Sequence, residues 1–139
     1  MDRLEFCKKL RLLRKESNRV IRYITVNTGI DESQIRRVDN GSTNFSVGRS
    51  ILYLSALNYK IILSKDNIYK DIISEDEAVK LFSEIRAKEK MSYTSFGVLL
   101  GVVGSHVKNI ENKKHCLKID IFLKMAEKFG YELSIVKIN

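Results

Sequence analysis

Apolar and polar positions along this chain alternate with two different periods. From Met91 to Lys113, Met91, Phe96 and Leu100, then Val107 and Ile110, fall at spacings of five, four and three, so two short helices each offer one buried stripe. Gly101 stands between them, where a left-handed residue closing the first helix needs no Cβ. A corner of this kind packs the helices at a steep angle and turns the second outward, the arrangement that presents a helix to a DNA major groove. The apolar run Phe96–Val103 is too short to span a bilayer.

The same pattern occurs earlier. Shifted by 72 positions without a gap, the sequence lays Gly29 on Gly101, Ser33 on Ser105, Asn40 on Asn112, Arg14 on Arg86 and Tyr59 on Tyr131. Leu13 falls on Ile85, Ile24 on Phe96, Ile30 on Val102, Ile35 on Val107, Val38 on Ile110 and Asp39 on Glu111. Both copies open with a capping-box pattern, Asp2 with Glu5 and Ser74 with Glu77. Each then predicts a first helix of about four turns, carrying Leu4, Leu10 and Leu13 or Val79, Phe82 and Ile85 on its inner side. Helical corners follow at Val20–Thr28 with Asp31–Val38 and at Ser92–Leu100 with Val103–Glu111. Fourth helices are predicted at Val47–Leu57 and Lys118–Phe129.

Each copy ends with period-two alternation: Tyr59, Ile61 and Leu63, then Tyr131, Leu133 and Ile135. An unpaired strand cannot satisfy its backbone, so Tyr59–Ser64 and Tyr131–Lys137 are expected to pair as an antiparallel ribbon. Pairing with a second chain is the alternative. The expected class is mainly α, with four-helix units at 1–64 and 74–139 and the polar segment Lys65–Ile73 as a linker.

Composition adds a partner. With 25 basic and 17 acidic residues the net charge is +8, which favours a polyanion such as nucleic acid. Residues 1–64 carry a net charge of +6 and residues 65–139 only +2, so the first copy is the stronger candidate for DNA contact. Cys7 and Cys116 lack CxxC spacing, and His115 beside Cys116 does not make a metal site. No GxSxG, phosphate-loop or HExxH motif is present, so neither catalysis nor a cofactor is expected. The charged amphipathic start has no signal-peptide core, and a cytoplasmic location without membrane contact is expected.

The segments GIDESQIRRVDNG (29–41) and GVVGSHVKNIENK (101–113) resemble the Cro/CI phage-repressor type (Xre-like) of helix-turn-helix domain, and the resemblance covers nearly the whole chain as two copies. It implies two tandem lambda-repressor-like units, each followed by a strand similar to the dimerisation strand of antitoxin-type members. It also implies transcription regulation through double-stranded DNA. Recognition helices would lie at Asp31–Val38 and Val103–Ile110. Glu32, Ser33, Arg36 and Arg37 would face the groove in the first, with Gln34 at the margin. In the second, Gly104, Ser105, Lys108 and Asn109 would do so, with His106 at the margin. Asn40 and Asn112 resemble phosphate-contacting asparagines. Arg37 has the geometry for a bidentate contact with guanine, and Asn109 for adenine.

Three departures set expectations of their own. Ile21 and Tyr93 stand where the family commonly has glutamine. Lys113 replaces the loop glycine found at Gly41. Val20, Ile21, Val98 and Leu99 are apolar enough to suggest a covered surface, which keeps open an antitoxin-like module binding a protein partner or forming a homodimer.

Overall fold

The computed structural model describes residues 1–139. Its elements in chain order are α1 (Arg3–Glu16), α2 (Ile21–Thr28), α3 (Glu32–Asn40), α4 (Val47–Ala56), β1 (Tyr59–Lys65), β2 (Ile68–Ile72), α5 (Glu75–Lys88), α6 (Tyr93–Leu100), α7 (Gly104–Glu111), α8 (Ile119–Lys128) and β3 (Glu132–Lys137). Eight helices and one three-stranded antiparallel sheet make the class mainly α.

Helix starts follow local chemistry. The Asp2 carboxylate accepts from the Glu5 N–H at 2.9 Å, and the Ser74 hydroxyl from Glu77 N–H at 3.1 Å. Ser46 and Ser92 cap α4 and α6 in the same way. Glu75, Asp76 and Glu77 add negative charge at the positive end of the α5 dipole. The ends use left-handed residues: Gly29 after α2 (φ 75°), Gly41 after α3 (φ 69°) and Gly101 after α6 (φ 75°). Lys113 adopts φ 60°, so the turn after α7 keeps its left-handed residue despite a side chain.

One continuous apolar core runs through all of the helices and into the sheet. Phe6, Leu10, Ile24, Ile35 and Val38 are fully buried between α1, α2 and α3, and Phe82, Phe96, Val107, Ile110 and Phe122 between α5, α6, α7 and α8. Phe96 meets Phe82 edge to face at 5.0 Å and stacks on Phe129 at 5.5 Å.

The strand order is β2-β1-β3. β1 and β3 pair antiparallel within the chain, with Ile62 opposite Ser134 and Leu63 opposite Leu133. Ile61 and Leu63 of the central strand are fully buried. A second contact joins the starts of α4 and α8, where Val47 N–H donates to Leu117 O and Ile119 N–H to Phe45 O, both at 2.8 Å.

The segment Lys65–Ile73 is not a bare linker. Ile68–Ile72 folds back on β1 as an edge strand, with Ile61 opposite Ile72. Asp66 (φ 53°) and Asn67 (φ 63°) make the two-residue turn. Two successive left-handed residues match the twist of a hairpin, and Asp and Asn are the side chains that best tolerate them.

Two glycines separate strain from crowding. A Cβ on Gly97, within α6, would lie 2.4 Å from the Val102 carbonyl oxygen, whereas one on Gly29 meets nothing within 4 Å. Gly97→Ala should therefore cost about 3 kcal/mol through overpacking of the α6–α7 corner, and Gly29→Ala only about 1 kcal/mol through left-handed strain. Urea unfolding of both variants tests this, and equal midpoints would contradict it.

Candidate nucleic-acid interface

Helix α3 turns Ile35 and Val38 wholly inward, with Asp39 buried at its end. That leaves Glu32, Ser33, Arg36, Arg37 and Asn40 exposed on the opposite face. Arg36 and Glu32 pair across one helical turn at 2.9 Å, so the acidic residue at the front of this helix carries its own counter-charge. An exposed pair of this kind is worth about 0.3–0.5 kcal/mol, little enough for a phosphate to displace. Arg37 makes no ion pair within the chain. The Gln34 amide oxygen accepts from the Arg49 guanidinium at 2.6 Å, which holds this marginal residue against α4. Asn40 Oδ1 accepts from Ser42 N–H at 2.8 Å and shapes the following turn, leaving its amide N–H groups for a ligand.

Helix α7 buries Val107 and Ile110 and exposes Ser105 and Lys108. Asn109 is half-buried, and its carbonyl accepts from Lys114 and His115 N–H at 2.8 and 3.1 Å. Asn112 is exposed in the turn that follows. Gly104 departs from the expected placement. A Cβ there would lie 2.9 Å from both the N and Oγ1 of Thr94, so the position faces α6 rather than a groove. Glycine is needed for close approach of the two helices, not for readout. His106 is half-buried and turned onto His115, with 3.0 Å between their Nδ1 atoms. Burial first, then His115, holds its imidazole below the usual range.

Residues missed by the sequence reading fix the pose of both outer helices. Arg14 donates to both carboxylate oxygens of Asp39, at 2.9 and 3.2 Å, and to the Arg19 carbonyl at 3.0 Å. The Tyr53 hydroxyl adds a 2.6 Å bond to Asp39. Arg86 likewise grips both oxygens of Glu111 and the Met91 carbonyl, and Ser83 donates to Glu111 at 2.8 Å. Hydrogen bonds to these carboxylates raise the pKa of each arginine. Burial, then Asp39, pushes the Tyr53 phenol up. The detectable signal was an arginine followed 25 residues later by an acid, twice.

Around these helices stand exposed Arg22 and Lys90, with Arg19 lying over the Tyr23 ring at 4.0 Å and Arg86 over Tyr93 at 4.4 Å. Within the chain nothing covers Val20, Val98 and Leu99, which are exposed together with Val26 and Val103, while Ile21 is half-buried. No cluster of three or more His, Cys, Asp or Glu side chains is placed to hold a metal ion. No helix is long and apolar enough to cross a membrane.

The buried groups set an alkaline limit. Desolvation pushes the Cys7 thiol up to about 12, against about 8.5 in an unfolded chain. The folded state thus keeps a proton that the unfolded chain releases. The contribution is fully present below about pH 8.5 and is lost as pH rises towards 12. Tyr53, also shifted upward, adds its own loss above about pH 10. Urea midpoints should fall from about pH 8.5 in the parent, and Cys7→Ala should remove the slope between about pH 8.5 and 10 while keeping the later one. Asp39→Ala strands Arg14 and the Tyr53 hydroxyl and should cost about 3–5 kcal/mol, read by the same titration.

Compared with protein-family models, curated protein sequences and solved structures, the chain matches none.

Proposed function

We propose that this chain is a DNA-binding transcriptional regulator of two tandem lambda-repressor-like helix-turn-helix units, 1–64 and 74–139, that reads the major groove with α3 and α7. The observation that carries the reading is backbone geometry. Outside the Asp66–Asn67 hairpin, every residue of positive φ has a counterpart 72 positions on: Asn18 and Lys90 (55° and 54°), Gly29 and Gly101 (75° and 75°), Gly41 and Lys113 (69° and 60°), Asn58 and Gly130 (66° and 76°). Glycine takes this conformation freely but other residues rarely do, so the left-handed Asn18, Asn58, Lys90 and Lys113 falling in the same register speak for one backbone written twice.

Three junctions support a pseudo-two-fold axis between the copies. Ser46 bridges to Lys118, and Ile62 stands opposite Ser134, each residue facing its own counterpart. Arg3 pairs with Asp120 at 2.7 Å, and the counterpart residues Glu75 and Gly48 meet through a 3.0 Å hydrogen bond. Readers related in this way fit half-sites ~34 Å apart, one helical turn of DNA. Arg37 and Asn109 are the base-reading candidates. Ser33, Ser105, Arg36, Lys108, Asn40, Asn112, Arg19, Arg22 and Lys90 suit phosphate or positioning contacts.

An antitoxin-like protein-interaction module is the second reading. It draws on exposed Val20, Val26, Val98 and Val103 and on the low net charge of residues 65–139.

Selection of bound sites from a random DNA pool, followed by fluorescence anisotropy across salt, separates the two. The expected result is an enriched two-part site with log K falling about 0.9 per phosphate neutralised. Arg37→Ala should cost about 1–3 kcal/mol and relax specificity at one base pair, whereas Arg22→Ala should weaken all sequences and lower the salt slope by about 1. No enriched site and a flat salt profile would overturn the reading.

A further inference from the structure

The chain has two histidines, His106 and His115, and the fold brings them together. Their rings are 5.1 Å apart between centroids and inclined by 40°, with the two Nδ1 atoms 3.0 Å apart. The pair is built into the turn after α7. Lys113 reverses the chain at φ 60°, and the Lys114 and His115 N–H groups both bond the Asn109 carbonyl, which returns His115 onto the helix. Of the two lysines in this turn, Lys113 is engaged by Asp76 at 3.3 Å, and Lys114 is exposed without an ion pair. The corresponding place on α3 has no such pair, since Gln34 is held by Arg49.

The two Nδ1 atoms meet at hydrogen-bond distance, and they become a chelate once the shared proton leaves and both lone pairs turn onto one ion. At metal–nitrogen distances of about 2.0–2.1 Å, two ligands on one ion stand about 2.9 Å apart at a right angle and about 3.3 Å apart at the tetrahedral angle. The observed separation lies between these limits, so the nitrogens already have chelate spacing and the exposed His115 ring is the one that must turn. Imidazole selects zinc, nickel and copper over magnesium or calcium. We propose that His106 and His115 form a two-ligand site for a divalent transition-metal ion, with water in the remaining positions, that clips the 112–117 loop to α7. The site is independent of the DNA-reading proposal, because its readout is the ion itself.

The test is calorimetric titration of the full, tag-free chain with ZnCl2 and with NiCl2, alongside MgCl2. One zinc or nickel ion per chain is expected, with no uptake of magnesium and a rise in melting temperature on zinc or nickel addition. His106→Ala and His115→Ala should each abolish both effects while leaving the metal-free circular dichroism spectrum unchanged, since neither residue belongs to the core. Cys116→Ser should bind like the parent. Absence of uptake by the parent would make the pair a plain N–H···N hydrogen bond and overturn the proposal. Undiminished binding by either histidine variant would do the same, as would loss of binding in Cys116→Ser alone.

Discussion

A carboxylate buried at the wrong end of a helix governs much of this structure. Asp39 lies in the last turn of α3 and Glu111 in the last turn of α7, where the negative end of the helix dipole disfavours them. Each is tolerated because an arginine from a neighbouring long helix covers both of its oxygens. Such pairs add little net stability, since desolvation offsets most of the attraction, but losing one partner is expensive. The constraint is therefore directional. Only the pose that brings Arg14 to Asp39 and to the Arg19 carbonyl satisfies all three groups, and that pose fixes α3 and the start of α2 relative to α1.

The sheet solves a separate problem. β1 would be costly alone because buried Ile61 and Leu63 pull its backbone out of water. Pairing with β3 on one side and β2 on the other satisfies that backbone. The edges fall to β2, with Ile68 and Tyr69 exposed, and to β3, whose outer residues include Glu132 and Lys137, the charges that discourage further strand addition.

What the sequence revealed depended on whether the signal was local. Capping at Asp2 and Ser74, left-handed glycines at 29, 41 and 101, and alternation in β1 and β3 are statements about a few neighbouring residues, and they were readable. β2 was hidden because Asp66–Asn67 lacks the glycine that usually advertises a hairpin, and its polar face reads as loop. Gly104 was taken for a surface position because the demand on it comes from Thr94, on another helix. The histidine pair required knowing that Lys113 accepts a left-handed conformation, which its side chain argues against. Pairings of Arg14 with Asp39 and of Arg86 with Glu111 sat in plain view as matched positions, but their charges were not put together.

The two helical corners are closed by different means. At α6–α7, Gly97 and Gly104 remove side chains where the helices meet, so backbone approaches backbone. At α2–α3 the corresponding positions are Thr25 and Glu32, and the Thr25 hydroxyl is buried without a partner. An unsatisfied hydroxyl costs about 1–3 kcal/mol, so packing at this corner is the poorer of the two. The difference is met elsewhere: Asp39 gains the Tyr53 phenol, a bond that Glu111 cannot make because Met125 stands at the matching position. Both corners therefore keep a buried carboxylate network, Asp39 with Arg14 and Tyr53 and Glu111 with Arg86 and Ser83, and the second adds close contact through its glycines. Perturbing volume should loosen α7 before α3, whereas removing either carboxylate should loosen its own helix.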